Sequence, residues 1–283
     1  MRMALIVVAM LAAFPARAEK LTVWHPAHGS HAQTYHLGGY TLTLSAKPSK
    51  DGMPVPAIEV EAPAVAPGLL LGEPGFDSPS ASFGVGRFDP KNAFPQVLIA
   101  TYTGGAHCCD AVKLLERDGK GWKTVDLGQW DGDAMEDLPR DVDGDGVADF
   151  VFGDNDFLYT FESYAGSWAP PQILNVIGGN VVDVSKARRY APLFRADMAR
   201  AKVYCAQGSN GACAGYVADA ARLGEIDPAW KFMQAHYNRK HQWDLPARCQ
   251  GPTVDFQCKG RAIKPRDYPE ALAWFLHDHG YTR

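Results

Sequence analysis

The sequence predicts an α+β protein in which an antiparallel, blade-like β domain is followed by a small, disulfide-stapled helical domain. Between Gly39 and Val184, apolar and polar residues alternate with period two and are interrupted by prolines and Asp-Gly turns, as is typical of short strands. After Val184 the apolar spacing becomes helical, and four of the six cysteines lie there. We therefore expect a β domain over residues 19–184 and a helical, cysteine-containing domain over residues 185–283.

A cleaved signal peptide is expected over residues 1–18. The apolar run from Ala4 to Phe14 is too short to span a bilayer, and small residues at positions 16 and 18 suit signal peptidase. No second run approaches about 18 apolar residues, so no membrane span is expected. Cleavage before Glu19 removes two arginines and takes the formal charge from −4 to −6. We expect a periplasmic or secreted protein that does not bind nucleic acid, because it has no basic cluster.

Four histidines lie within a dozen residues near the expected mature N-terminus: His25, His28, His31 and His36. Neutral imidazoles bind zinc, copper or nickel, so this segment is a candidate transition-metal site. The spacing matches neither one face of a helix nor a known zinc module. Surface histidines without a metal are the alternative interpretation.

Period-two alternation predicts strands over residues 40–44, 58–61, 111–115, 122–127, 157–164 and 173–176. Seven prolines between positions 48 and 79 exclude helices and keep the first strands short. Asp118-Gly119 is a strong hairpin signal between the third and fourth of these strands. Residues 39–184 have room for only a few four-stranded blades, so a closed ring is not expected.

Adjacent cysteines, Cys108 and Cys109, follow a Gly-Gly turn and His107. A bridge between them needs a distorted peptide, since neighbouring α carbons are only about 3.8 Å apart. Exported proteins rarely keep free thiols, however, and the other four cysteines can pair without these two. We expect a vicinal disulfide that forms a rigid platform. The alternative is a cysteine nucleophile with His107 as its base.

The segment 141–149 is the strongest motif in the chain. Asp141, Asp143, Asp145 and Asp149 would repel one another unless a hard cation that takes six to eight oxygen ligands lies among them. We expect calcium, bound by these four carboxylates and by the carbonyl of Val147, with Asp149 acting directly or through water. An Asp/Gly-rich turn without an ion is the alternative.

The loop departs from the EF-hand because Phe152 stands where a bidentate Glu is required, and an apolar strand follows it in place of a helix. The pattern D-x-D-G-D-G-x-x-D running into a strand resembles the FG-GAP and VCBS-type repeats of extracellular β-propeller proteins. The resemblance covers about the central third of the chain and implies calcium bound between two strands of a blade. Residues 83–100 have a similar layout with only Asp89 and Asn92 as potential ligands, as in a degenerate copy.

Acidic residues are concentrated around the proposed ion site. Between Asp126 and Asp156 there are eleven carboxylates and one base, Arg140. This excess supports cation binding, although a solvated acidic face would have the same composition.

The last third of the chain predicts helices joined by two local disulfides. Pro192 opens the first helix, Gly224 caps the second, and Asp227-Pro228 and Asp267 begin the next two. We expect the disulfides Cys205 with Cys213 and Cys249 with Cys258, because each closes a short loop. A zinc site is disfavoured, since neither interval is that of a zinc knuckle.

These observations favour an exported, non-catalytic calcium-binding module that binds another envelope protein or a glycan. Calcium would stabilise a loop between strands. One alternative is an envelope hydrolase that uses carboxylates near the ion: Asp131, Asp133, Glu136 and Asp137. The other is transition-metal binding by the N-terminal histidines. No catalytic motif such as G-x-S-x-G or H-E-x-x-H is present, which favours the non-catalytic interpretation.

Overall fold

The structure, a computed structural model, describes residues 19–26, 32–75, 79–119, 121–132, 135–254 and 257–283. The expected signal peptide lies outside these residues. Antiparallel strands precede a helical region, which confirms the predicted α+β fold. The helices of the described chain are α1 (Ala191–Ala206), α2 (Asn210–Leu223), α3 (Ile226–His236) and α4 (Tyr268–Asp278). None of the helices in the described ranges is long and apolar enough to cross a membrane.

The strands of the β region are, in chain order, β1 (Thr22–Trp24), β2 (Gln33–Leu37), β3 (Tyr40–Pro48), β4 (Pro54–Glu61), β5 (Gly68–Leu71), β6 (Ala81–Gly86), β7 (Gln96–Tyr102), β8 (Asp110–Asp118), β9 (Gly121–Trp130), β10 (Phe150–Gly153), β11 (Pro171–Val176) and β12 (Val181–Asp183). Two small ladders lie between α3 and α4; they are formed by β13 (Arg248–Gln250) with β16 (Arg261–Ile263), and by β14 (Thr253–Val254) with β15 (Gln257–Cys258). Single 3-10 turns cover Asn155–Phe157, Tyr164–Gly166 and Arg188–Tyr190.

Three antiparallel sheets form the β region. The first sheet has the order β2-β3-β4-β5, the second β1-β6-β7-β8-β9 and the third β10-β11-β12. Within the first sheet, and from β6 to β9 in the second, strands that follow one another in sequence are also neighbours in space. This up-and-down order results from short hairpins, the commonest connection between antiparallel strands.

The second sheet lies between the other two and is buried on both faces. In β7, Val97 and Ile99 pack against the first sheet, while Leu98 and Ala100 pack toward the third. Successive side chains of a strand point to opposite faces, so a continuous apolar run can fill two cores at once. The three sheets therefore form a layered stack of blade-like units.

The helical region packs on the third sheet and on the chain that follows β10. Phe194 of α1 and the preceding Tyr190 pack against Ile173 of β11. Gly215 brings α2 close to the indole of Trp168, because a Cβ at this position would lie only 2.4 Å from the ring. The β region and the helices thus share apolar contacts.

The segment 157–164 is not the strand that its alternating residues predict. It contains turns that lie between two 3-10 turns, and Phe157 and Phe161 enter the core of the helical region. Both phenylalanine rings contact Phe275 of α4 edge-to-face. Burial of two aromatic rings among helices outweighs the local strand preference, which is a weak determinant of structure.

The three expected disulfides are present: Cys108–Cys109, Cys205–Cys213 and Cys249–Cys258. Cys205–Cys213 joins the C-terminal turn of α1 to the first turn of α2, and both of these cysteines are fully buried. The predicted cap at Gly224 is confirmed, since this residue ends α2 in the left-handed conformation with φ +74°.

Candidate calcium site and the neighbouring cleft

The Asp-rich loop connects the second sheet to the third. It follows β9 and ends in β10, and its two ends are held together by an antiparallel bridge between Arg140 and Asp149. The amide of Asp149 donates a hydrogen bond to the carbonyl of Arg140 at 3.0 Å. The bridge therefore fixes the positions of the two ends of segment 141–149 relative to each other.

Three of the four expected carboxylates converge. Oxygen atoms of Asp141, Asp143 and Asp149 all lie within 4.8 Å of one another. Calcium binds oxygens at about 2.3–2.6 Å, so two oxygens that share one ion are at most about 5 Å apart. The three carboxylates meet this condition, and the donor set fits calcium.

Asp145, which the sequence also predicts as a ligand, is not one of the three converging carboxylates. One of its oxygens accepts the amide of Val147 at 2.8 Å, and the other lies 2.9 Å from the guanidinium of Arg189. Arg189 also contacts the carboxylate of Asp143. A guanidinium thus partly neutralises two of the acids around which an ion is expected.

Backbone amides stabilise the negative charge of the loop. Asp141 accepts hydrogen bonds from the amides of Gly144 at 2.6 Å, Asp145 at 3.2 Å and Gly146 at 2.8 Å. Burial opposes ionisation of Asp141, but these bonds hold the pKa of its carboxyl below the usual range. The group is an anion at neutral pH, as an ion ligand must be.

Asp149 is the buried end of the site and has partners in other elements. Its carboxylate accepts hydrogen bonds from the Tyr190 hydroxyl at 2.5 Å, the Asn175 amide at 2.7 Å and the backbone of Val142 at 2.8 Å. Burial and the adjacent carboxylate raise the pKa of Tyr190, so its hydroxyl keeps its proton and remains a donor. These contacts fix the loop to β11 and to the turn before α1.

Sequence reasoning did not identify Arg189, Tyr190 or Asn175. Each lies at least 26 residues from the carboxylate that it contacts. No local pattern marks these residues, because they come from β11 and from the turn before α1. Arg189 and Tyr190 lie just before a helix-opening signal at Pro192, but this signal gives no indication that the turn meets the loop.

A cleft of about 640 Å³ opens beside the loop. Its walls carry the rings of Trp130 and Phe152, which stack with their centroids 4.2 Å apart. Carboxylates also line it: Asp110, Asp131, Glu136, Asp137 and Asp149. The cleft therefore combines an aromatic wall with an acidic rim.

Of the acids expected to serve a hydrolase, Glu136 and Asp137 pair with Lys20 at the surface, at 2.8 and 3.1 Å. Asp131 lies 3.0 Å from the imidazole of His107. Asp133 lies outside the described residues. Each of the three described acids thus already pairs with a basic side chain, although all three line the cleft.

The remaining candidate ligands are dispersed or already engaged. His25 and His36 are exposed, and His28 and His31 lie outside the described residues. In the suggested degenerate copy, Asp89 accepts the amides of Lys91 and Gly179, at 2.9 and 2.8 Å. Hydrogen bonds to two backbone amides are a structural role that accounts for an acid at this position without a bound ion.

One family model matches the helical region of the chain. The model described as the sll0997 C-terminal domain matches residues 192–280, which extend from α1 to beyond α4. The chain is 38% identical over 211 residues to the "Probable thylakoid lumen protein sll0997" of Synechocystis sp. (strain ATCC 27184 / PCC 6803 / Kazusa), an alignment that covers 72% of this chain and 61% of the relative.

A second relative is the "Uncharacterized protein y4bJ" of Sinorhizobium fredii (strain NBRC 101917 / NGR234). It is 29% identical over 286 residues, which cover 92% of this chain and 44% of the relative. The chain thus spans 61% and 44% of the lengths of these two relatives. No solved structure matches the chain. The chain is similar to both proteins along regions that include β strands as well as helices.

Proposed function

We propose that this protein is an extracytoplasmic calcium-binding module without catalytic activity, in which calcium stabilises the loop between the second and third sheets. The observation that carries the proposal is the convergence of Asp141, Asp143 and Asp149 within 4.8 Å. The stacked antiparallel sheets and the D-x-D-G-D-G-x-x-D loop also support the likeness to FG-GAP and VCBS-type repeats. Calcium would compensate the carboxylate charge that Arg189 leaves unpaired.

The compartment is the periplasm or the medium outside the cell. Three disulfides and the N-terminal apolar run with its cleavage pattern support export. The printed name of one relative, a probable thylakoid lumen protein, also refers to a compartment outside the cytoplasm. Such compartments are rich in calcium, so a site of modest affinity is sufficient there.

The partner is an envelope protein or a glycan, and the cleft beside the loop is the surface that would receive it. The stacked rings of Trp130 and Phe152 offer an apolar face. The carboxylates of Asp110 and Asp131 offer hydrogen-bond acceptors on its rim. Concave surfaces with aromatic walls and a few polar groups are the usual form of ligand sites.

Thermal unfolding in millimolar calcium and in chelator tests the calcium proposal. Calcium at about a hundred times its dissociation constant adds about 2.7 kcal/mol to the free energy of unfolding. We expect Asp143→Asn to lose this response. Asp51→Asn, in an exposed turn outside the loop, is the matched control and should keep the response. An unfolding midpoint that does not respond to calcium in the unmodified protein would refute the proposal.

The variant Asp145→Asn distinguishes between two sets of calcium ligands, one that includes Asp145 and one that does not. If calcium draws Asp145 away from Arg189, as the sequence indicates, this variant loses the calcium response as fully as Asp143→Asn. If the carboxylate stays with the guanidinium, calcium still raises the midpoint of Asp145→Asn.

One observation favours the hydrolase as a second candidate. Burial raises the pKa of Asp110 in the wall of the cleft, against the opposing effect of a hydrogen bond from the amide of Met135. A carboxyl that keeps its proton nearer to neutral pH can act as a general acid. Hydrolysis of envelope glycans or peptides that disappears in Asp110→Asn, while calcium binding is retained, would establish this activity. Its absence from the unmodified protein would exclude it for those substrates.

A further inference from the structure

The Cys108–Cys109 bridge joins adjacent residues and so closes no loop that would stabilise the fold. A disulfide stabilises a fold mainly by closing a loop of the unfolded chain, and the effect grows with the length of that loop. Cys205–Cys213 and Cys249–Cys258 join cysteines that are 8 and 9 residues apart, whereas Cys108 and Cys109 are adjacent. The bridge therefore adds little to stability by loop closure, and its two sulfurs lie side by side in the turn.

The surroundings of the bridge supply a third potential ligand. The two sulfur atoms and a carboxylate oxygen of Asp131 all lie within 4.8 Å of one another. The bridge belongs to the turn between β7 and β8, while Asp131 follows β9 directly. Two parts of the second sheet therefore bring a sulfur pair and a carboxylate to one place.

Neighbouring side chains hold Asp131 in this position. Nδ1 of His107 lies 3.0 and 3.2 Å from the two oxygens of Asp131, and Nε2 of His107 lies 2.6 Å from the hydroxyl of Tyr159. The backbone amide of Asp131 donates to Asn155 at 3.0 Å. The histidine ring also stacks on Tyr164, with centroids 3.5 Å apart. Carboxylates that bind metal ions are likewise held by hydrogen bonds from neighbouring groups.

The turn itself is fixed as well. The amide of Thr103 donates to the carbonyl of Cys109 at 2.8 Å, and the amide of Cys109 donates to the hydroxyl of Thr103 at 3.1 Å. Cys108 is only half-buried, so a reductant can reach its sulfur from solvent, whereas Cys205 and Cys213 are fully buried. The adjacent bridge is thus more open to reduction than the bridge between α1 and α2.

We propose that Cys108, Cys109 and Asp131 form a redox-controlled site for a thiophilic divalent cation of the zinc class, which binds only after the bridge is reduced. Two thiolates and one carboxylate are a donor set for zinc, with water in the fourth position. The site is separate from the carboxylates of segment 141–149, and the proposal does not depend on calcium binding.

The reaction has two steps. A dithiol reductant exchanges with the bridge through a mixed disulfide at Cys108; it transfers two electrons and two protons to the cysteines and is itself oxidised to a disulfide. Zinc then displaces the two thiol protons to solvent and bonds to both thiolates. Exchange with a disulfide oxidant, which accepts two electrons, takes up two protons from solvent and is itself reduced to a dithiol, re-forms the bridge and expels the ion, because a sulfur in a disulfide no longer offers a thiolate.

The test is zinc binding to the full exported chain, measured by competition with a chromophoric chelator before and after mild dithiol reduction. We expect one zinc ion per reduced chain and none in the oxidised chain. The variant C108S/C109S should bind none in either state, whereas C249S/C258S, which lacks the other half-buried bridge, should bind as the unmodified protein does. Asp131→Asn should bind at least about tenfold more weakly.

Cadmium provides a second readout that does not depend on comparing folded variants. Reduced protein should develop the ultraviolet cadmium–thiolate absorption on addition of one equivalent of cadmium. Absence of this band together with absence of zinc uptake would overturn the proposal. Equal zinc affinity in C108S/C109S, or in Asp131→Asn, would also overturn it, because the site would then lie elsewhere or lack its third ligand.

Discussion

Replacement of Arg189 by glutamine tests whether calcium and the guanidinium compete for the same carboxylates. The guanidinium contacts Asp143 and lies 2.9 Å from Asp145. An ion bound to Asp143 would therefore lie about 5 Å from the cationic group. The Arg189 side chain is 44% exposed whereas that of Asp143 is 1% exposed, so the dielectric constant of water gives a lower limit for the repulsion. For a double and a single positive charge at this distance the lower limit is about 1.7 kcal/mol.

Loss of this repulsion should raise the affinity for calcium about tenfold, because a factor of ten corresponds to about 1.4 kcal/mol. In chelator the variant should be less stable than the unmodified protein, since it loses ion pairs worth up to about 1 kcal/mol each at exposed positions. Calcium should therefore shrink or reverse the stability difference.

The assay is calorimetric titration with calcium at low ionic strength, where screening is weak, alongside thermal unfolding with and without calcium. Arg188→Gln is the matched control, since this neighbouring arginine is exposed and belongs to the same 3-10 turn. If Arg189→Gln binds calcium no more tightly than Arg188→Gln, the ion and the guanidinium do not share these acids and the reasoning is refuted.

Three further changes have expected outcomes. Tyr190→Phe removes the hydroxyl that donates to Asp149 and leaves a buried carboxylate with one partner fewer; urea unfolding should show a loss of about 1–3 kcal/mol, and no loss would mean that the bond has no net value. Gly215→Ala places a methyl group against the indole of Trp168, and thermal unfolding should show a loss of about 1–3 kcal/mol, unless the ring moves at no cost. Burial raises the pKa of Asp219 to about 10, so the folded chain keeps a proton that the unfolded chain releases above about pH 4. The contribution of this group to the free energy of unfolding therefore falls as pH rises toward about 10. In urea unfolding, the free energy of unfolding of Asp219→Asn relative to that of the unmodified protein should increase from about pH 5 to about pH 9. A difference that does not change with pH would contradict this.

Local signals in the sequence were sufficient for much of the fold. The Asp118-Gly119 hairpin, the helix that begins near Pro192 and the cap at Gly224 depend on residues within a few positions of one another. The three disulfides also join cysteines at short separations. Patterns of this kind can be read without knowledge of the tertiary structure.

Contacts between distant parts of the chain were not predictable. The sequence defines the Asp-rich loop, but Arg189 and Tyr190 meet it only because α1 packs against β11. The segment 157–164 alternates like a strand, yet Phe157 and Phe161 contact Phe275 of α4, more than 100 residues later in the chain. In both cases long-range packing decides the outcome, and a single sequence contains no direct record of it.

The middle position of the second sheet has a consequence for how this protein tolerates changes in chain length. A deletion of one residue in the middle of β7 would turn the side chains on one side of the deletion to the opposite face, so that residues such as Ile99 and Ala100 would exchange layers while the residues before the deletion keep theirs. An insertion in the turn around Gly52, which is exposed and has no neighbour within 4 Å of a Cβ, would leave both layers intact. This architecture therefore tolerates a change of length at hairpin turns of the first sheet, whereas β7 must keep its number of residues.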